Sequence, residues 1–430
     1  IYNGLTTVTE TDGGGTVLSQ LTEKNIMGWT VRNSEHLGPE DAFVTYGHYA
    51  DGKLAWSMVG DQPNTKVTVT YDGAGNRYIL DDPDYGRLQT YHNAFGQVVS
   101  RTSSKGQEQY SYDVLGRMTK RVQADAADSP ESREETVWEF YKTTGKRGLL
   151  KKIMHNGTDQ IVTYDYDNEN LNRLRSVTET RFGSQNYTTA YEYDDANGMP
   201  LRVAAVTYPT GYTLRKRYDA NTGNLVGLAD NNNHLLWETE DANALGQVTH
   251  YRMGDIAGTR TYSRLTNRLE GILEKKGENI IQDFTYTYDN FANLASRKDN
   301  RTNMTENFTY DGLNRLTGIW LNGKQLGGMT YDVHGRMLGK QSDGRTVFSG
   351  AVYAQEAFES KPHALRGARM YGIPFPTEQQ SISYTMFDKV SSITQDDKTP
   401  TYRYGYDHQR ITSTLAGNDI FKKKTYVGNS

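Results

Sequence analysis

The chain has 430 residues, 48 Lys and Arg against 52 Asp and Glu, a net charge of −4 and no cysteine, with a pI near 6.2 and a mean hydropathy of −0.77. That balance supplies no basic face for nucleic acid; the lack of cysteine excludes disulfide frameworks and thiolate metal sites but not secretion; and no apolar run is long enough for a membrane-spanning helix. With glycine counted as apolar and tyrosine not, about 38% of the residues are apolar against about 45–50% in ordinary globular domains, which favours a sheet of limited contact area over a thick core.

Ile1 begins in mid-pattern without a signal peptide, so the chain reads as a fragment or a processed form. Residues 1–66 carry little internal pattern and read as degenerate repeats or a cap, although Tyr49 to Trp56 has hairpin character. The array proper spans 67–340. There one phrase returns: YSYDVLGRMTKRV at Tyr110 to Val122, TYDGLNRLTGI at Thr309 to Ile319 and TYDVHGRMLGK at Thr330 to Lys340. Tyr followed by Asp occurs ten times, against about two expected by chance from 31 Tyr and 31 Asp. The anchors are Tyr71-Asp72, Tyr112-Asp113, Tyr164-Asp165, Tyr166-Asp167, Tyr193-Asp194, Tyr218-Asp219, Tyr288-Asp289, Tyr310-Asp311, Tyr331-Asp332 and Tyr406-Asp407. Weaker copies fill gaps at His92-Asn93, Tyr141, Ala242-Asn243 and Phe387-Asp388. Gln123 to Glu135 reads as an inserted surface loop. Residues 341–380 interrupt the array with Pro362, Pro374 and Pro376, implying irregular or edge structure, and 381–430 hold the final repeats.

Each unit is explained as a β-hairpin. Alternating residues such as Tyr110 and Tyr112 place two rings on one face of a strand. Asp113 starts the turn, where its carboxylate bonds the amides ahead of it. Gly116 supplies the positive φ of the return, as Gly75, Gly223 and Gly335 do elsewhere; Asn293 or Asn314 is the usual non-glycine substitute. Arg117, like Arg315 and Arg336, opens the returning strand. One such hairpin cannot bury a face alone, so neighbours must extend one long sheet. Strand twist accumulates in one direction and curls that sheet. The expected fold is all-β, a curved or spiralling array of hairpins.

Nothing in the sequence forms a strong catalytic or metal constellation. The repeated aspartates share like environments, whereas a catalytic pair needs unlike ones. Asp165, Asp167 and Glu169 resemble the start of a calcium loop, but Asn170 stands where its glycine belongs. The nine histidines form no HExxH pair, and no G-x-S-x-G elbow exists. Gly73 to Gly75 and the Gly13–Gly15 run lack a phosphate-cradling strand-to-helix setting and read as turns. No cofactor is expected.

The repeated motif closely resembles the YD repeats of the Rhs family, also found in teneurins and in the C component of insecticidal Tc toxins; the match runs from about Tyr71 to Arg410. The stretches KPHALRGARMYG, YTMFDKVSSI and YRYGYDHQRI look like Rhs proteins of Bacteroidetes. The resemblance implies a β-cocoon shell that encloses a C-terminal toxin or effector, in a secreted or cell-surface protein. The partners it implies are that cargo, the Rhs core segment and secretion-system components. Family members end the shell with an Asp-Pro-x-Gly motif. The nearest text here, Asp82-Pro83-Asp84-Tyr85-Gly86, lies near the wrong end and is assigned no protease role, so core and cargo would lie beyond Ser430. The expected function is a non-enzymatic shell segment. The alternative is a carbohydrate-binding or adhesive surface module using tyrosine faces; a glycan-cleaving enzyme on the same scaffold is the weakest reading.

Overall fold

A computed structural model describes residues 4–11, 17–37, 40–126, 133–167, 171–183, 185–353, 361–371, 381–395, 398–417 and 420–426. Among them the regular structure is strand, apart from single 3-10 turns at Pro63–Thr65 and Asp195–Asn197. No helix among the described residues is long and apolar enough to cross a membrane. The Gly13–Gly15 run, most of the expected loop (127–132), Glu169, Asn170, Pro374 and Pro376 lie outside the described residues.

The chain divides into two units, Ile1–Arg87 with Thr239–Phe375, and Leu88–Glu238 with Pro376–Ser430. In the first, strands run from β1 (Gly4–Thr11) to β7 (Arg77–Asp82) and from β21 (Val248–Met253) to β31 (Leu365–Met370). Within both runs each strand pairs antiparallel with the next in sequence. In the second unit the same rule holds from β8 (Gly86–His92) to β20 (Leu235–Ala242). A five-stranded sheet follows, from β32 (Ser381–Tyr384) to β36 (Ile420–Thr425). The fold is all-β, hairpin after hairpin in long antiparallel sheets. Tyr, Val, Thr and Ile on alternating positions favour this conformation because they pack well on a half-buried pleat.

The hairpins share one irregularity. In β10 (Gly106–Tyr112) and β11 (Met118–Asp125), Ser111 faces Lys120 but Tyr112 faces Met118, leaving Thr119 as the extra residue of a bulge. The register shifts at the same tyrosine in the hairpins of Tyr71, Tyr218, Tyr288, Tyr310 and Tyr331. Such a bulge bends the strand and increases its local twist. The core is thin: among the described residues, Val69, Ile153, Val162, Ala205, Ala229, Tyr251, Met386, Tyr404 and Ile411 are the buried hydrophobic ones. Single-layer strands leave both faces partly open.

Three local expectations change. Gln123 to Asp125 and Glu134 to Glu135 are strand rather than loop. β11 runs to Asp125, and β12 (Glu134–Phe140) begins with Glu134 beside the ladder partner Gln123. Ladder hydrogen bonds satisfy the backbone there despite the polar composition. Residues 341–380 contain β30 (Arg345–Tyr353) and β31, which pair antiparallel, with Pro362 fully buried. The third change is at Asn293. The residue of positive φ is Ala292, at +73°, and Asn293 follows it, where its amide bonds Asp289. The expected substitution holds at Asn314, with φ of +58°.

Ala292 therefore carries a strained backbone. Left-handed φ costs an L-residue roughly 1–2 kcal/mol, more than the roughly 0.5–1 kcal/mol of extra chain entropy that glycine brings. Ala292→Gly is expected to stabilise the protein by about 0.5–1 kcal/mol and to raise the Tm in thermal unfolding followed by circular dichroism. An unchanged or lower Tm would show that the turn is not strained.

Candidate functional site

The repeated turn is the one constellation that recurs through both units, and it is built outward from its aspartate. The Asp113 amide donates to the Arg117 carbonyl and the Gly116 amide to the Asp113 carbonyl, both at 2.9 Å. Gly116 completes this loop at φ +79°, the left-handed position of a three-residue hairpin. Asp113 Oδ1 accepts the amides of Leu115 (2.9 Å) and Arg117 (3.0 Å), and Oδ2 accepts Arg117 Nε (2.7 Å) and Nη2 (2.6 Å). The same capped carboxylate and guanidinium pair forms at Asp311 with Arg315, Asp332 with Arg336 and Asp167 with Arg173. Asp72 takes Asn76 in that role, and Asp194 takes Arg202. Asn93 with Gln97 and Asn243 with Gln247 are neutral versions. The Asp219 turn is longer; its carboxylate accepts the amides of Asn221 and Thr222, and Gly223 is left-handed. Gly75 and Gly335 are left-handed too. Hydrogen bonds from Arg117, Arg173 and Arg202 hold Asp113, Asp167 and Asp194 below the usual carboxylate range.

Two further contacts lock one repeat to the next. The clamp residue reaches a backbone carbonyl beyond its own turn: Arg117 Nη1 to Gly148 (3.2 Å), Arg173 Nη1 to Pro200 (2.9 Å), Arg268 Nη1 to Asp289 (3.2 Å) and Arg315 Nη1 to Asp332 (2.8 Å). Gln97 reaches Gly116 at 3.0 Å and Gln247 reaches Asn267 at 2.9 Å. The guanidinium also lies over a neighbouring ring, 4.1 Å from Phe140 for Arg117 and 4.7 Å from Tyr331 for Arg315. In the other direction, the tyrosine hydroxyl donates to a carbonyl of an earlier returning strand, the first residue of that strand at Val98, Leu174 and Leu294 and an inner one at Val203. Tyr112 bonds Val98 (2.7 Å), Tyr193 bonds Leu174 (2.9 Å), Tyr218 bonds Val203 (2.8 Å) and Tyr310 bonds Leu294 (3.0 Å). Burial pushes these four hydroxyls above their ordinary range, so they remain donors.

One anchor is displaced. In the last sheet the Tyr406-Asp407 pair lies inside the turn: Gly405 and Gln409 close the loop, His408 is its left-handed residue, and Tyr404 makes the hydroxyl bond, to Val390 at 2.7 Å. Ladder register, rather than the Tyr-Asp dipeptide, decides which tyrosine is the pin. Likewise Thr385 takes the aspartate's place ahead of Phe387-Asp388, and Asp388 itself is left-handed. Sequence reasoning missed Tyr262 and Tyr353, which bond Val248 and Met337 without a following Asp. The available signal was a tyrosine 14 to 16 residues after an apolar strand start.

These carboxylates are engaged within their own turns. Asp167 is engaged by Arg173 rather than open to calcium. Among the described residues no group of three His, Asp or Glu is placed to hold a metal. Asp82 caps a turn through the amides of Asp84 and Tyr85, and Asp84 pairs with His363. Tyr112→Phe is expected to cost about 0.5–1.5 kcal/mol, the loss of one hydrogen bond. For the clamps at Asp113, Asp167 and Asp194, the folded carboxyl values lie below the unfolded ones. Their stabilisation is complete above about pH 4 and is lost as pH falls through the depressed values. Arg117→Gln should therefore destabilise more at pH 7 than at pH 3 in urea titrations. Equal losses at the two pH values would remove the ionic clamp from the account.

The family model of the RHS repeat matches residues 92–127, which contain the Asn93 and Asp113 turns. No curated protein matches this chain. Among solved structures it is similar to the TcdB2-TccC3 crystal structure, at 15% identity and a TM-score of 0.77, covering 96% of this chain and 25% of that one. It is similar also to the TcdB2-TccC3-Cdc42 structure (15% identity, TM-score 0.76, covering 96% and 24%). A third likeness is to the Tc holotoxin pore of Photorhabdus luminescens (15% identity, TM-score 0.76, covering 95% and 24%). The chain thus spans about a quarter of the length of the solved chains whose fold it shares. The chain therefore carries an RHS repeat at residues 92–127 and shares the fold of these Tc toxin structures along nearly its whole length.

Proposed function

We propose that this chain is a segment of a shell wall that wraps a C-terminal toxin or effector polypeptide until delivery, and that it is non-catalytic in itself. The observation that carries this reading is the repeat-to-repeat lock: clamp and tyrosine bonds make a wall coherent without a thick core, leaving both faces of the sheet available. The fold shared with the Tc toxin structures supports it. The organisation read from the sequence belongs to the same proposal, apart from 341–380, where β30 and β31 continue the array: a degenerate start at 1–66, the array from 67 and final repeats at 381–430. So do the cargo, the Rhs core segment and secretion-system components as partners, and a secreted or cell-surface location. The wall acts by geometry, denying the cargo access to solvent and to its targets. In an adhesive module the repeat tyrosines would present free faces and hydroxyls to sugars; here those hydroxyls are committed to neighbouring carbonyls.

Small-angle X-ray scattering on the monomer tests this, since a compact 430-residue protein has a radius of gyration of roughly 22 Å. A clearly larger radius, with a pair-distance distribution skewed to long vectors, is expected of an open or hollow wall. A value near the compact one would mean that the chain fills its own interior, and the wrapping role would fall.

A further inference from the structure

In the second unit, the five-stranded sheet β32–β36 docks its turns on the ends of the hairpins β10 to β15 (Leu174–Arg181). The Met386 amide donates to Asp125 Oδ1 (2.7 Å), the Tyr406 amide to Gln160 Oε1 (3.2 Å), and Arg121 Nη2 to the Tyr406 carbonyl (2.9 Å). Ion pairs of Arg403 with Asp159 and Lys105 with Asp388 flank the seam. Met386, Tyr404 and Ile411 are buried in the last sheet and its turns, and Ile153 and Val162 are buried in the wall hairpins.

Two histidines are enclosed in this seam. His155 is 1% exposed; its Nδ1 lies 2.8 Å from Thr136 Oγ1, and its buried Nε2 has no hydrogen-bond partner. His408 stacks flat on Phe387, with ring centroids 3.8 Å apart and planes 4° apart, and its Nε2 is likewise buried without a partner. Around His155, Arg121 and Arg403 oppose a second ring proton, while Asp159, the Tyr404 backbone and, at 3.9 Å, the Glu134 carboxylate favour one. Around His408, Arg121, His155 and Lys389 oppose it and Asp407 favours it. Burial and the neighbouring Arg121 guanidinium outweigh these groups, and a buried imidazolium beside a buried guanidinium is costly.

We propose that the seam is an acid-sensitive latch: a proton taken up from solvent by His155 and His408 releases the last sheet from the wall, while the wall hairpins stay folded. Burial, reinforced by Arg121, holds both imidazoles down at about 4 against an ordinary 6.5. The docked form therefore binds fewer protons than the released one. Docking is at full strength above about pH 6.5 and weakens as pH falls through that value towards 4, by up to tenfold per pH unit for each histidine.

Hydrogen exchange of the whole chain at pH 7 and pH 5, corrected for intrinsic rates, tests the latch, with the hairpins from β22 (Ile256–Tyr262) to β28 (Lys324–Tyr331) of the first unit as internal reference. Protection over residues 385–416 is expected to fall at least tenfold more than in the reference at pH 5. The double variant His155→Gln, His408→Gln, which takes up no ring proton, should lose that extra fall. Equal protection at both pH values, or a fall that the double variant shares, overturns the proposal. Should the variant fail to dock at pH 7, an NMR titration of the two imidazoles in the unaltered chain decides. Midpoints well below 6.5, coincident with release, support the latch. Titration near 6.5 with the sheet still docked refutes it.

Discussion

Everything in this structure depends on the hydrogen bonds that tie one hairpin to its neighbour outside the strand ladder. A two-stranded hairpin is marginal in water, and this composition supplies too little apolar area to gather hairpins around a thick core. The tyrosine hydroxyl bonded to an earlier hairpin and the clamp side chain bonded to a later turn recur along the array. Each contributes about a kilocalorie per mole by itself; their regular recurrence makes a single-layer wall coherent.

The bonds work because the turn sets their geometry first. The carboxylate caps two amides and orients the guanidinium, which leaves one arginine nitrogen free to reach out. The bulge at the tyrosine brings its ring over the earlier hairpin with a defined twist. Neutral Asn and Gln pairs reproduce the same connectivity at Asn93 and Asn243, so the array requires the donor and acceptor pattern rather than the charge. Arginine adds a cation over an aromatic face, which glutamine does not.

The seam of the second unit is built on a different principle. There the turns of the last sheet meet polar strand ends, and arginine, glutamine and histidine side chains are buried with several of their atoms unpartnered. Such groups lower the stability of a contact, in contrast to the fully satisfied turns of the array. A weak seam beside a strong wall is what allows the last sheet to respond to mild acid before the clamps of the array do.

The sequence by itself determined the repeat, the hairpin, the turn and most of its members, because these are local: Asp113 and Gly116 act within five residues, and periodicity of two reports strand directly. It did not determine which tyrosine of a unit is the pin, as Tyr406 and Tyr404 show, or that Ala292 rather than Asn293 takes the left-handed position. Both follow from ladder register, which joins residues distant in the chain. Nor did it reveal that Arg117 reaches Gly148, that Gln123 continues a strand, or that His155 is enclosed beneath the last sheet. Those depend on which backbone carbonyls and strand ends meet across repeats, and only the tertiary structure decides that, because the acceptors are backbone atoms that carry no residue signature.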